Sequence, residues 1–114
     1  VPSHCELMRP AAERFAESVN AIDWQAPQIP LVQNVSAGVA GDLETLKSDL
    51  LEQLYKPVRW VECVQTLAAN GAVQLVECGP GKVLAGLNKR CADGVNTFNL
   101  NTPDAFAATR AALA

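Results

Sequence analysis

Apolar residues recur at helical spacing along much of the chain. Over residues 7–21 they are Leu7, Met8, Ala11, Ala12, Phe15, Ala16 and Val19, with Glu6, Arg9, Glu13, Arg14 and Glu17 on the opposite face. This is the stripe of an amphipathic helix. Ser3 is available as its N-cap, and Pro10, tolerated only in a first turn, sets the start of the regular helix near Arg9. Leu43, Leu46, Leu50, Leu51 and Leu54 line one face of a second helix over 43–55, with Asp42 as N-cap. Pro57 stops it and opens a third over 58–69, which Gly71 ends.

Shorter apolar runs predict strands at 31–35, 73–78 and 95–100, the second continuous enough for a buried parallel strand. Residues 23–30, with two prolines, form a connector, and 36–41 a loop. Gly79-Pro80-Gly81 is a tight turn before a helix over 82–91, and Thr102 caps a last helix that Pro103 opens. Strands alternating with helices predict an α/β fold: a short, mostly parallel sheet flanked by helices.

With 114 residues, 49% hydrophobic and 18% charged, the chain is a globular domain with a modest core. Its net charge of -3 argues against a nucleic-acid partner, which requires a basic excess. No apolar run approaches a membrane span, so the expectation is a cytoplasmic protein with no membrane partner. The chain opens on Val1, on what reads as the end of a strand, and is expected to be a piece of something longer. Cys5, Cys63, Cys78 and Cys91 lack C-x-x-C spacing and, with a single histidine, make no zinc set. They read as buried, reduced thiols, and no metal is expected.

Three stretches offer chemistry. His4, the lone histidine, sits at a corner before the first helix, where a neutral imidazole can act as a general base. Cys5 beside it is a possible nucleophile by sequence, but neighbours on a helix do not face each other. Residues 53–60, Gln53-Leu54-Tyr55-Lys56-Pro57-Val58-Arg59-Trp60, join two helices. The last carbonyls of the first helix lack intrahelical partners, and one could orient an imidazole. Gly79-Pro80-Gly81 could turn backbone N–H groups toward an anion, yet it matches neither a P-loop nor G-x-G-x-x-G. On spacing alone, each is an ordinary structural feature.

Together, residues 1–8, 53–60 and 77–84 (Glu77-Cys78-Gly79-Pro80-Gly81-Lys82-Val83-Leu84) resemble, in order and interval, the C-terminal part of bacterial malonyl-CoA:acyl carrier protein transacylases. The resemblance runs through all 114 residues. It implies that 1–114 is the C-terminal segment of an α/β-hydrolase-like large subdomain, following an inserted ferredoxin-like subdomain. It implies an acyltransferase of type II fatty acid synthesis. Malonyl would pass from CoA through a serine ester to the phosphopantetheine thiol of acyl carrier protein, with no bound cofactor. His4 then matches the general base, and Gln53 the residue whose main-chain carbonyl orients it.

The family's G-H-S-x-G nucleophile motif, its G-Q-G-S-Q loop and its malonate-binding arginine do not occur in these residues. The isolated chain is therefore expected to be inactive and to dimerise or swap segments through exposed apolar surface. Ser3 before His4 leaves another acyl-CoA, such as methylmalonyl-CoA, as an alternative substrate. A non-catalytic α/β interaction domain is the alternative in kind. Lys82, Lys89 and Arg90 are expected to face the acidic carrier protein, although favourable charge at a helix C-terminus would explain Lys89 and Arg90 equally well.

Overall fold

The computed structural model describes residues 2–114; the strand end expected at Val1 lies outside the described residues. After a 3-10 turn at Glu6–Met8 the elements are α1 (Arg9–Ala21), α2 (Leu43–Glu52), α3 (Trp60–Ala69), β1 (Gln74–Glu77), α4 (Val83–Asn88), β2 (Asn96–Asn99) and α5 (Pro103–Leu113). They divide into two compact units, Val1–Cys63 and Val64–Ala114, the boundary falling inside α3.

In the first unit α1 packs on α2. Ala12 and Val19 of α1 and Leu46 of α2 are buried, as the apolar stripes require. Pro10 occupies the first turn of α1, which begins at Arg9 as its φ restriction demands. Ser3 does not cap: the 3-10 turn intervenes, and the N-cap positions are Cys5 and Met8, neither with a side-chain cap bond. Asp42 does cap α2, its Oδ1 accepting the Thr45 N–H at 2.7 Å.

The strand expected at 31–35 is absent. Only an isolated antiparallel bridge pairs Val32 with Val39, around a turn in which Ala37 takes φ 55°. A strand needs a neighbour to satisfy its backbone, and this segment instead folds back on itself: Gln33 N–H donates to Gly38 O and Ala37 N–H to Gln33 O. Helix α2 stops at Glu52, short of the expected Tyr55, and α3 starts at Trp60, two residues past Val58.

In the second unit α3 ends in a Schellman motif. Gly71 adopts φ 90°, its N–H donates to Ala68 O, and Ala72 N–H donates to Leu67 O. β1 and β2 then pair in parallel, from Gln74 opposite Asn96 to Glu77 opposite Asn99, with α4 as the crossover. This α/β arrangement is the expected one, with a sheet of two strands among the described residues. Both strands are shorter than expected and only half-buried, so β1 is not the continuously buried strand its apolar run predicts. α4 is confined to Val83–Asn88 and packs on both strands, while α5 packs on β2. Thr102 Oγ1 caps α5 by accepting the Ala105 N–H at 3.2 Å, with Pro103 in the first turn. Thr109 and Thr97 then tie helices to strands, their hydroxyls donating to Asn99 O and Ala85 O.

The cysteines are all free, but only Cys63 and Cys91 are buried; Cys5 is half-buried and Cys78 exposed. Among the described residues no helix is long and apolar enough to cross a membrane.

Candidate functional site

His4 lies in the first unit, exposed, on the stretch before the 3-10 turn. Two consecutive carbonyls hold it. Its main-chain N–H donates to Leu54 O at 3.0 Å, and its ring Nδ1 lies 2.6 Å from Gln53 O. A carbonyl can only accept, so Nδ1 carries the proton in this contact. In the neutral ring the other nitrogen, Nε2, then keeps its lone pair, the form a general base needs. His4 has φ 60°, in the left-handed region. For a residue other than glycine such a conformation costs about 1–3 kcal/mol and persists only where the surroundings impose it. The paired carbonyls of residues 53 and 54 are those surroundings.

Those carbonyls are available because α2 ends just before them. Gln53 is the C-cap of α2, and the chain leaves the helix through a turn over 53–56. That turn is tied down on both flanks. The Arg9 guanidinium stacks over the Tyr55 ring, 4.1 Å from its centroid, while Glu6 takes a two-pronged bond from Arg9 at 2.7 and 2.9 Å. The bond to Arg9 lowers the Glu6 pKa, and the bond to Glu6 raises that of Arg9. Lys56 Nζ donates to Glu52 at 2.6 Å, which raises the lysine pKa.

The structure adds two residues that sequence reasoning missed. Asn34 Nδ2 donates to the Gln53 side-chain Oε1 at 3.0 Å, and Arg59 binds the 33–38 turn through its N–H to Asn34 O and its Nη1 to Ser36 O. Arg59 also pairs with Glu62, whose carboxylate raises its pKa. No local pattern marks Asn34, since its partner lies nineteen positions away. Cys5 turns its thiol to Pro2 O at 3.2 Å rather than to the imidazole. Burial pushes the Cys63 thiol pKa up, which suits a structural cysteine better than a reactive one.

Lys82, Lys89 and Arg90 belong to the second unit. Lys82 is the N-cap of α4 and Lys89 its C-cap. Both line a surface cleft of about 260 Å³ with Ala85, Gly86, Thr97 and Asn99; Arg90 does not line it. The Gly79-Pro80-Gly81 turn is not open to an anion as the sequence allowed. The Gly81 N–H already donates to Asn101 Oδ1 at 2.6 Å, and the Ala85 N–H in the first turn of α4 donates to Glu77 Oε2 at 2.8 Å. Gly81 at φ 103° supplies the turn geometry instead.

No protein-family model matches the chain. Curated proteins do: the malonyl CoA-acyl carrier protein transacylase of Escherichia coli (strain K12) is 44% identical over 108 residues, covering 95% of this chain and 35% of that protein. The chain thus spans about a third of the length of the curated relatives it matches. Among solved structures, the malonyl-CoA:acyl carrier protein transacylase of Xanthomonas oryzae pv. oryzae superposes with a TM-score of 0.91 at 47% identity, over 98% of this chain and 36% of that one. A malonyl-transacylase solved in complex with its type II polyketide synthase acyl carrier protein gives a TM-score of 0.85 at 40% identity, over 94% and 35%.

Proposed function

Since this chain matches, over nearly its whole length, a C-terminal segment of malonyl CoA-acyl carrier protein transacylases, we propose that it supplies the general-base half of such a transferase. One observation carries the reading: the 2.6 Å contact of His4 Nδ1 with Gln53 O, which in the neutral ring puts the free lone pair on Nε2. In the proposed reaction Nε2 takes the proton of a serine hydroxyl as the serine oxygen attacks the malonyl-CoA thioester. The carbon–sulfur bond breaks, the imidazolium returns the proton to the CoA sulfur, and malonyl-serine remains. Nε2 then takes the proton of the carrier protein's phosphopantetheine thiol, whose sulfur displaces the serine oxygen, and the proton goes back to serine. The Gln53 carbonyl holds the tautomer throughout and stabilises the transient imidazolium, the part a carboxylate plays in a Ser-His-Asp triad.

The serine is proposed to come from a G-H-S-x-G elbow in the part of the relatives' length that these 114 residues do not span. On this reading the chain is part of an α/β-hydrolase-like subdomain in a cytoplasmic enzyme of type II fatty acid synthesis. Its substrates are malonyl-CoA and acyl carrier protein, and it needs no bound cofactor. The test is CoA release and malonyl-serine formation in protein carrying both parts. His4→Ala is expected to abolish most of both with the fold intact; near-normal acylation by that variant overturns the role of His4.

The 114-residue chain by itself is expected to transfer no malonyl to carrier protein, and turnover near that of a complete transacylase would refute this. Leu7, Ile29 and Val83 are 75%, 79% and 71% exposed. Such apolar surface supports self-association of the isolated chain, by dimerisation or segment exchange. Light scattering is expected to give a mass above 12.1 kDa, and a clean monomer that binds no apolar dye contradicts it.

A further inference from the structure

We infer that Asn34 is a positioning residue for the His4 imidazole, acting through the side chain of Gln53 on the carbonyl that receives Nδ1–H. The chain of contacts is short. Asn34 Nδ2 donates to Gln53 Oε1 at 3.0 Å, and the same Gln53 presents its main-chain oxygen to His4 Nδ1 at 2.6 Å.

The Gln53 carbonyl needs such support. It lies at the C-cap of α2, past the regular helix, where the chain is held by the Leu54 N–H donating to Leu51 O at 3.2 Å and by the Tyr55 and Lys56 N–H groups both donating to Glu52 O at 3.1 and 2.9 Å, none of which engages the Gln53 carbonyl itself. Helix ends fray, and a carbonyl that swings with a fraying end cannot hold one tautomer of an imidazole. Anchoring the side chain on the same α-carbon restrains that swing from the other side.

Asn34 can serve as an anchor because its own turn is closed internally and fixed from outside by α2 and by Arg59. Gln33, only 6% exposed, sends its Nε2 to Leu46 O of α2 at 2.9 Å. Ala37 N–H closes the turn on Gln33 O at 2.9 Å. Arg59, just before α3, donates its N–H to Asn34 O at 2.9 Å and its Nη1 to Ser36 O at 3.0 Å. The segment expected to be a strand is therefore a rigid brace, and Asn34 is the point at which it meets the catalytic corner.

The competing account is that Asn34 merely fastens the turn to α2. The readout that separates the two is the tautomer of His4, followed by nitrogen NMR in protein labelled with 15N-histidine at a pH where the ring is neutral. Its signals are identified by their loss in His4→Asn. The Nδ1–H form is expected to dominate. Asn34→Ala and Gln53→Ala each remove the same bond while leaving every main-chain carbonyl in place. Each is expected to shift the tautomer ratio toward Nε2–H by about 2- to 12-fold, the worth of one ordinary hydrogen bond. The double variant should go no further, since both act through one contact. Asn34→Asp is expected to restore the original ratio, because the Gln53 amide can turn over and donate to the carboxylate. Combining Asn34→Asp with Gln53→Glu opposes two carboxylates and is expected to lose it again.

An unchanged ratio in Asn34→Ala and in Gln53→Ala overturns the inference; if Asn34→Ala does not fold, Gln53→Ala decides alone. The catalytic meaning of this positioning rests on the proposed function. A shifted tautomer with undiminished malonyl transfer would uphold the positioning and overturn His4 as general base.

Discussion

In the unit that holds His4, Arg9, Lys47, Lys56 and Arg59 each meet a carboxylate three or four residues away, whereas Lys82, Lys89, Arg90 and Arg110 in the other unit form no ion pair among the described residues. Five basic against nine acidic residues give Val1–Cys63 a charge of -4; four against three give Val64–Ala114 a charge of +1. Surface pairs of this kind are worth little individually, and two of them, Arg9 with Glu6 and Lys56 with Glu52, flank the turn that meets His4. In the first unit what the proposed chemistry draws on is an imidazole held by carbonyls. In the second, the basic side chains form no ion pair among the described residues, and under the proposed function they are the charge that would meet an acidic carrier protein. Position within an acidic chain therefore matters more than its overall sign.

The sharpest way to break this contrast is to ask which kinetic constant each unit controls. In a complete transacylase, His4→Ala is expected to lower kcat for transfer by about 10²- to 10⁴-fold, the usual contribution of a general base, with little change in KM for carrier protein. Lys82→Glu with Lys89→Glu is expected to do the reverse. KM for carrier protein should rise about tenfold at low salt, converge on the wild type at high salt, and leave hydrolysis of malonyl-CoA by water nearly untouched. Arg90→Glu, outside the shared cleft, should raise KM less than the paired lysine variant. Steady-state assays with carrier protein varied at two ionic strengths check all three. A kcat effect from the lysines, or a pure KM effect from His4, would dissolve the division of labour.

Much of this arrangement was legible in the sequence where the signal was local. The helices at Arg9–Ala21 and Pro103–Leu113, the caps Asp42 and Thr102 and the stop at Gly71 all depend on residues within a turn of one another. The strand expected at 31–35 failed because pairing is non-local: its apolar residues fit a pleat, but no neighbouring strand lies beside them among the described residues. The helices end at Glu52 and begin at Trp60 rather than at the expected Tyr55 and Val58, leaving room for the turn that meets His4, forty-nine positions before Gln53, a contact no local periodicity encodes. His4 and Gln53 were singled out together only through resemblance, and Asn34 not at all. The pairing of Lys82 with Lys89 had a usable sign. Seven residues are close to two helical turns, so both fall on one face, while Arg90 is rotated about 100° away.

The smallest effect expected concerns the two caps, one of which titrates. Asp42 starts α2 in the His4 unit and Thr102 starts α5 in the other. The Thr45 N–H donating to its carboxylate holds the Asp42 pKa below the ordinary 3.8. A carboxyl whose folded pKa is depressed adds stability that is fully present above its unfolded pKa. That stability is lost as the pH falls from there through the lower folded value. Thr102 has no proton to gain in that range, so its cap is indifferent to acid. Asp42→Asn keeps a cap acceptor but removes the charge that complements the helix N-terminus. The variant should therefore be slightly less stable than the wild type at neutral pH, with the two converging as the pH drops below 3.8. Amide exchange should follow the same division: protection at Thr45 and Leu46 weakens with acid, while protection at Ala105 and Phe106, which lie over Thr102, does not change through this cap. Chemical denaturation of both proteins across that pH range, with exchange read at those four amides, is the measurement. A gap between wild type and Asp42→Asn that stays constant as the pH falls would mean that the Asp42 charge contributes nothing to the helix on which the Gln53 carbonyl is mounted.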